Sequence, residues 1–251
     1  MKTLQISMQN RNCHTLRGIA SLPGSSGKYP SVLLLHGFTG SVSGYKYLNT
    51  RIARDLADAG IACVRFDFYG CGESDGEFED MSFTGLYEDA EDMFRWMSLQ
   101  SFADENMLIL SGQSLGGYVA ASTAPKINPG ALILLCPGGG MWYGAKPNAD
   151  AVKAGGSDFV DLEGLRYKMS FNYDMASHPD PYTEAEGYDG PCFIARAQDD
   201  KLVDEKSFDA YAACYSSPCL LTTDDGGHNF ASIPARRTLT AAMIRFINTL
   251  R

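Results

Sequence analysis

The chain has no excess of positive charge: 21 Lys and Arg stand against 30 Asp and Glu among 251 residues, a formal net charge of −9. Phosphate binding needs clustered cations, so nucleic acid is excluded as a natural partner. An anionic membrane surface is disfavoured on the same ground. No stretch approaches the roughly 18 apolar residues of a membrane span. Met1 to Asn12 (MKTLQISMQNRN) holds neither an apolar h-region nor a small-residue cleavage site. That predicts no secretory signal and a reduced, cytoplasmic location. Seven cysteines are scattered without a Cys-x-x-Cys pair, which removes the usual zinc and thioredoxin spacings. Only four histidines occur, too dispersed to suggest a catalytic metal. No Gly-Lys-Ser/Thr phosphate loop is present, and Gly70 to Asp75 fails the Gly-x-Gly-x-x-Gly pattern because Asp75 takes the third glycine's place. No metal or cofactor is therefore expected. Repeats and low-complexity tracts are also missing.

What is present is an ordinary globular composition, 45% hydrophobic and 20% charged. The length suits one large α/β domain or two small ones. Short continuous apolar runs alternate with helical stretches, the pattern of βαβ units and a mostly parallel sheet. The runs are Ser31–His36, Ile61–Phe66, Met107–Leu110, Ala131–Cys136 and Cys192–Ala197, and Pro218–Thr222 follows as a last strand. Runs without alternation predict strands covered by helices on both faces. Helices are expected over Tyr45–Ala59, Phe83–Ser98, Leu115–Ala124, Glu205–Tyr215 and Arg236–Leu250. In the first, Leu48, Ile52, Leu56 and Ala59 share one face. Leu4–Met8 and Leu16–Leu22 suggest an antiparallel hairpin at a sheet edge. Residues 137–189 break the rhythm. They open with Pro-Gly-Gly-Gly, carry eight aromatics and are too long for a plain connection. The expectation is one domain over residues 1–251, with 137–189 inserted as a small lid over the carboxyl edge of the sheet.

The chemistry centres on Gly112-Gln113-Ser114-Leu115-Gly116-Gly117, which follows a strand and opens a helix. Gly-x-Ser-x-Gly in that context is a sharp turn that exposes a serine hydroxyl above a helix N-terminus. A free hydroxyl is nearly inert at neutral pH and needs a base. His14 lies in the N-terminal hairpin, His36 ends a strand and His178 lies in the insertion. His228 sits in the loop between the last strand and the last helix, so elimination selects it. The base needs an acid at the end of the preceding strand to fix its tautomer. Asp199 and Asp200 both qualify; Asp200, three residues before Val203, is preferred, leaving Asp199 as a solvated loop charge. An oxyanion would need two amide donors. The backbone N–H groups of Leu115 and of Phe38, in His36-Gly37-Phe38-Thr39-Gly40, are assigned to it. His36 and Asp67 are expected to shape their own loops.

The order Ser114, Asp200, His228, the His-Gly-Phe-Thr-Gly loop and Gly-Gln-Ser-Leu-Gly-Gly resemble an α/β-hydrolase. Phe66 to Gly76, Asp80-Met81-Ser82 and the pairing of Asp200 with Val203 are more narrowly similar to bacterial cinnamoyl/feruloyl esterases. Leu115, where that group often carries a polar residue, and the insertion depart from its pattern. The resemblance implies an α/β-hydrolase fold: a mostly parallel central sheet flanked by helices, with the lid inserted. It implies serine-dependent ester hydrolysis through an acyl-enzyme, on small aryl esters of the hydroxycinnamoyl type. Among the insertion's aromatic and acidic residues, Trp142, Asp161 and Tyr167 are candidates to bind such a group, the last two through a phenolic hydroxyl. The implied partner is a small-molecule ester, and related esterases are often homodimers. Two rivals remain on the same fold: a serine aminopeptidase, acyl-peptide or thioester hydrolase, and a catalytically silent ligand-binding domain.

Overall fold

The continuous apolar runs become strands of one eight-stranded sheet because side chains on each of its faces find a separate core. The computed structural model describes residues 1–24 and 26–251. It opens with β1 (Lys2–Gln9), β2 (Thr15–Leu22) and β3 (Tyr29–Leu35), then α1 (Leu48–Asp58), β4 (Ala62–Phe66) and α2 (Phe83–Ser98). Next come β5 (Ala103–Gln113), α3 (Leu115–Ile127) and β6 (Ala131–Leu135). Strand order is β1-β2-β4-β3-β5-β6-β9-β10, where β9 is Cys192–Ala197 and β10 is Cys219–Thr223. β1 and β2 form the expected antiparallel hairpin, β2 also runs antiparallel to β4, and every other pairing is parallel.

Alternation along β3 shows how the two cores arise. Leu33 and Leu35 enter one core with residues of α2 and α3. Val32 and Leu34 enter the other with α1 and the last helix, α8 (Ile233–Thr249). All four are buried, and full burial of one such side chain is worth about 1.5–3 kcal/mol. The register sets Gln113 beside Leu135, Leu135 beside Ala195, and Ala197 beside Thr223. The carboxyl ends of β5, β6, β9 and β10 therefore open onto one edge.

Between β6 and β9, residues 137–189 hold α4 (Met141–Ala154), a hairpin of β7 (Phe159–Leu162) and β8 (Leu165–Lys168), α5 (Met169–Ser177) and α6 (Pro181–Ala185). Several of its aromatics are packing residues: Tyr167, Phe171 and Tyr188 are buried. After β9 comes α7 (Glu205–Ala213). The hairpin was not expected. Glu163 and Gly164 turn it with φ of 54° and 96°, a left-handed pair usually signalled by Asn-Gly or Asp-Gly. The expected helix at Tyr45 begins at Leu48 instead, because Lys46 and Tyr47 are left-handed (φ 44° and 64°). α8 starts three residues before the expected Arg236, since Ser232 caps it by accepting the Ala235 amide. No helix among the described residues is long and apolar enough to cross a membrane.

Candidate active site

Ser114 stands between β5 and α3 with φ 57° and ψ −120°, a strained backbone costing roughly 1–3 kcal/mol. Its neighbours hold it there. The Ser114 amide donates to the Leu135 carbonyl at 2.9 Å, and the Gly138 amide donates to the Ser114 carbonyl at 2.9 Å. The flanking glycines are required by close approach rather than by φ. A Cβ on Gly112 would overlap the Gly116 carbonyl, and one on Gly116 would lie 2.5 Å from the His36 carbonyl oxygen.

The structure brings three of the selected side chains into one line. His228 Nε2 is 2.8 Å from Ser114 Oγ, and Nδ1 is 2.9 Å from Asp200 Oδ2. With Nδ1–H donating to the carboxylate, Nε2 is free to accept the serine proton. The other oxygen of Asp200 accepts the Leu202 and Val203 amides at 2.8 and 3.0 Å. Burial alone would raise this carboxyl, but hydrogen bonds from His228, Val203 and Leu202 outweigh it and hold it below the ordinary value. Asp199 is exposed in its loop, as expected of a solvated charge, but it also has a partner. Its carboxylate accepts the Gly227 amide at 2.7 Å and so fixes the loop that carries His228.

Sequence reasoning missed two further neighbours. Gln113 donates through Nε2 to the Asn229 side chain and the His228 carbonyl, at 3.3 and 3.4 Å. Cys136, fully buried after β6, offers a sulfur within 4.8 Å of the Asp200 and His228 donor atoms. Burial pushes its thiol well above the ordinary value. Both nitrogens of His228 are engaged in the line from Ser114 to Asp200, an arrangement suited to proton transfer. Only the register of β5, β6 and β9 could have pointed to Cys136.

Neither the Phe38 nor the Leu115 amide donates to a protein acceptor among the described residues. Leu115 opens α3, whose N-terminus carries partial positive charge. The Phe38 loop is set by His36, which is buried. Its Nε2 accepts the Phe68 amide at 3.2 Å, so Nδ1 carries the proton and donates to the Gly37 carbonyl at 2.8 Å. Burial lowers its affinity for a second proton. Asp67 similarly ties two loops, accepting the Val42 and Glu73 amides at 2.6 and 3.0 Å. The remaining histidines are structural: His14 stacks on Tyr69, and His178 contacts Thr84 and Glu184.

A cavity of about 570 Å³ opens at Ser114 and His228. Phe38, Tyr45, Met141, Leu202 and Val203 supply its apolar lining, and no Asp, Glu, Lys or Arg lines it. Trp142, Asp161 and Tyr167, the candidates for binding an aryl group, are not among its lining residues. Their polar atoms have other partners. Trp142 Nε1 donates to the His178 carbonyl at 3.0 Å. The Asp161 carboxylate closes the exposed hairpin by accepting the Gly164 amide at 2.7 Å. The Tyr167 hydroxyl is spent on Asn172, although its ring does pack against Phe38 at 5.0 Å between centroids.

Comparison with known proteins adds the following. A family model described as "Serine aminopeptidase, S33" matches residues 28–162, more than half of the chain. An Escherichia coli protein, the "uncharacterized 31.7 kDa protein in traX-finO intergenic region", is 34% identical over 105 residues, 42% of this chain and 36% of that protein. The human mitochondrial palmitoyl-protein thioesterase ABHD10 is 31% identical over 98 residues, 39% of this chain and 29% of its own. The match thus spans about a third of the length of these curated relatives. Among solved structures, Est1E from Butyrivibrio proteoclasticus with ferulic acid bound superposes at a TM-score of 0.87, covering 98% of both chains at 20% identity. At that identity the likeness is one of fold, the α/β-hydrolase fold.

Proposed function

The chain belongs to the hydrolase family described as serine aminopeptidase, S33, and from that premise we propose that it is a serine-dependent carboxylic ester hydrolase working through Ser114, His228 and Asp200. One observation carries this: the unbroken line from Ser114 Oγ through both nitrogens of His228 to Asp200, at 2.8 and 2.9 Å. In the proposed first step, Ser114 Oγ attacks the ester carbonyl while His228 Nε2 takes its proton. Asp200 stabilises the imidazolium through Nδ1–H. The carbonyl oxygen, now anionic, is held by the Phe38 and Leu115 amides. The alcohol leaves with the proton from His228, and the acyl group stays on Ser114. Water then repeats the sequence and releases the acid. In this account residues 1–251 form one catalytic unit, and 137–189 are its lid.

The substrate proposed is a small, uncharged aryl ester. The cavity volume lies in the range of small-molecule sites, and its lining carries no formal charge from Asp, Glu, Lys or Arg. The fold likeness to Est1E with bound ferulic acid favours a hydroxycinnamoyl-type acyl group. An aminopeptidase would want a carboxylate near Ser114 to pair with the substrate's free α-ammonium, and the cavity offers none. Steady-state turnover of methyl ferulate, aliphatic p-nitrophenyl esters and an amino-acid naphthylamide decides among these. Methyl ferulate should give the highest kcat/KM. Equal or better turnover of short aliphatic esters removes the aryl acid, and preferred cleavage of the naphthylamide replaces the esterase reading with the peptidase one.

A further inference from the structure

The mouth of the cavity is built from backbone that would not hold its shape unaided. Gly44, Lys46 and Tyr47 have φ of 66°, 44° and 64°, with Tyr45 carried between them. Lysine and tyrosine are poorly suited to the left-handed region, and such residues persist only where their surroundings over-determine them. The Tyr47 amide donates to the Gly44 carbonyl at 3.1 Å and the Leu48 amide to the Tyr45 carbonyl, and one side chain from the far end of the chain adds to these bonds. Arg236, on α8, donates from Nη2 to the Tyr45 carbonyl at 3.3 Å and from Nη1 to the Lys46 carbonyl at 3.0 Å. Its Nε donates to the Phe230 carbonyl at 3.0 Å. Phe230 is buried, is itself left-handed, and lies two residues beyond His228. One guanidinium therefore joins the cavity mouth to the loop that carries the base. Its planar fork suits this task in a way a lysine ammonium does not.

The turn presents a specific surface. Tyr45 lines the cavity while remaining half exposed, and the Lys46 ammonium lies over its ring at 5.3 Å from the centroid. Leu202 and Met141 line the same cavity, and Leu202 is largely exposed. An exposed tyrosine and leucine at the rim offer apolar surface that a flat group could pack against.

We propose that Tyr45 is the specificity-determining residue of this site, packing its ring against an aromatic group of the ester, and that Arg236 is the positioning residue that holds it there. This rests on the esterase reading of Ser114, yet it says something that reading does not: selectivity for aromatic esters comes from residues 44–47 and α8, and not from polar groups of the 137–189 segment.

The test uses the full chain and three esters. Methyl ferulate carries its aromatic group on the acyl side, 1-naphthyl acetate carries it on the alcohol side, and ethyl acetate has none. For Tyr45→Ala, the kcat/KM ratio of at least one aromatic ester to ethyl acetate should fall about tenfold, through KM and not kcat, as expected for one lost aromatic contact. Tyr45→Phe should keep the wild-type ratio. Arg236→Ala should lower the same ratio, and the double variant should fall no further than Tyr45→Ala alone, because Arg236 acts through Tyr45. Tyr45 is half exposed, so its variants remain informative even if Arg236→Ala does not fold. The proposal is overturned if the ratio for both aromatic esters stays within about twofold in Tyr45→Ala, if the loss lies in kcat, or if the two variants add. Wild type that turns over none of the three esters, with Ser114 unlabelled by a fluorophosphonate, overturns the esterase reading itself and this proposal with it.

Discussion

Asp199 and Asp200 are adjacent and chemically identical, yet their surroundings give them different tasks. Asp200 faces His228 Nδ1 and is anchored by two amides, whereas Asp199 reaches across to the Gly227 amide. Removing them should therefore differ in degree. Asp200→Ala leaves the imidazole without its tautomer partner and should cost on the order of 10⁴ in kcat. Asp199→Ala loosens the His228 loop by one hydrogen bond to a charged group and should cost about tenfold. Pre-steady-state or steady-state kcat on one ester measures both; equal losses would contradict this division of labour. The preference for Asp200 was legible from its spacing to Val203. The use of Asp199 was not, because it depends on where the 223–230 loop lies, which no local pattern records. The same limit applies to Trp142, Asp161 and Tyr167: their residue types suit an aromatic ligand, and the partners their polar atoms take in the fold are not recorded in any local pattern.

At the level of elements, the strands buried on both faces were the most legible features. β3, β4, β6 and β9 lie within a residue or two of their expected bounds because a continuous apolar run needs only two covering layers. Where backbone conformation overrides propensity, the reading failed. The helical face of α1 continues back in sequence to Tyr45, but left-handed Lys46 and Tyr47 prevent the helix from following it. α8 shows the opposite case, starting early because Ser232 supplies a cap and Pro234 a fixed φ. Ser232→Ala should cost about 1 kcal/mol, which for a chain of this size is a Tm loss of about 2–4 °C. A thermal melt checks this, and an unchanged Tm would mean that neither the cap nor the bond from the Ser232 hydroxyl to Asp225 stabilises the start of α8.

Across the whole molecule, the net charge is −9, yet no Asp, Glu, Lys or Arg among the described residues lines the cavity at Ser114. The Asp200 carboxylate lies behind His228, and its bonds there also bear on stability. Asp200 is held below the ordinary carboxylate value in the fold. On acidification the unfolded chain takes up that proton first. The stability Asp200 contributes is therefore complete above about pH 4 and is lost as pH falls through its folded value. The Tm gap between wild type and Asp200→Asn should narrow as pH drops below about 4, and a constant gap would contradict the assignment of this carboxylate.

The central claim concerns Ser114. Its hydroxyl is aligned with His228 by strained backbone that a stable fold has no other reason to keep. Ser114→Ala removes one oxygen and leaves the cavity, the two free amides and the His228–Asp200 pair in place. Single-turnover and steady-state hydrolysis of one ester by wild type and Ser114→Ala is the direct test. The account predicts that kcat falls by about 10⁶ with no acyl-enzyme formed, whereas near-normal turnover by Ser114→Ala would contradict it.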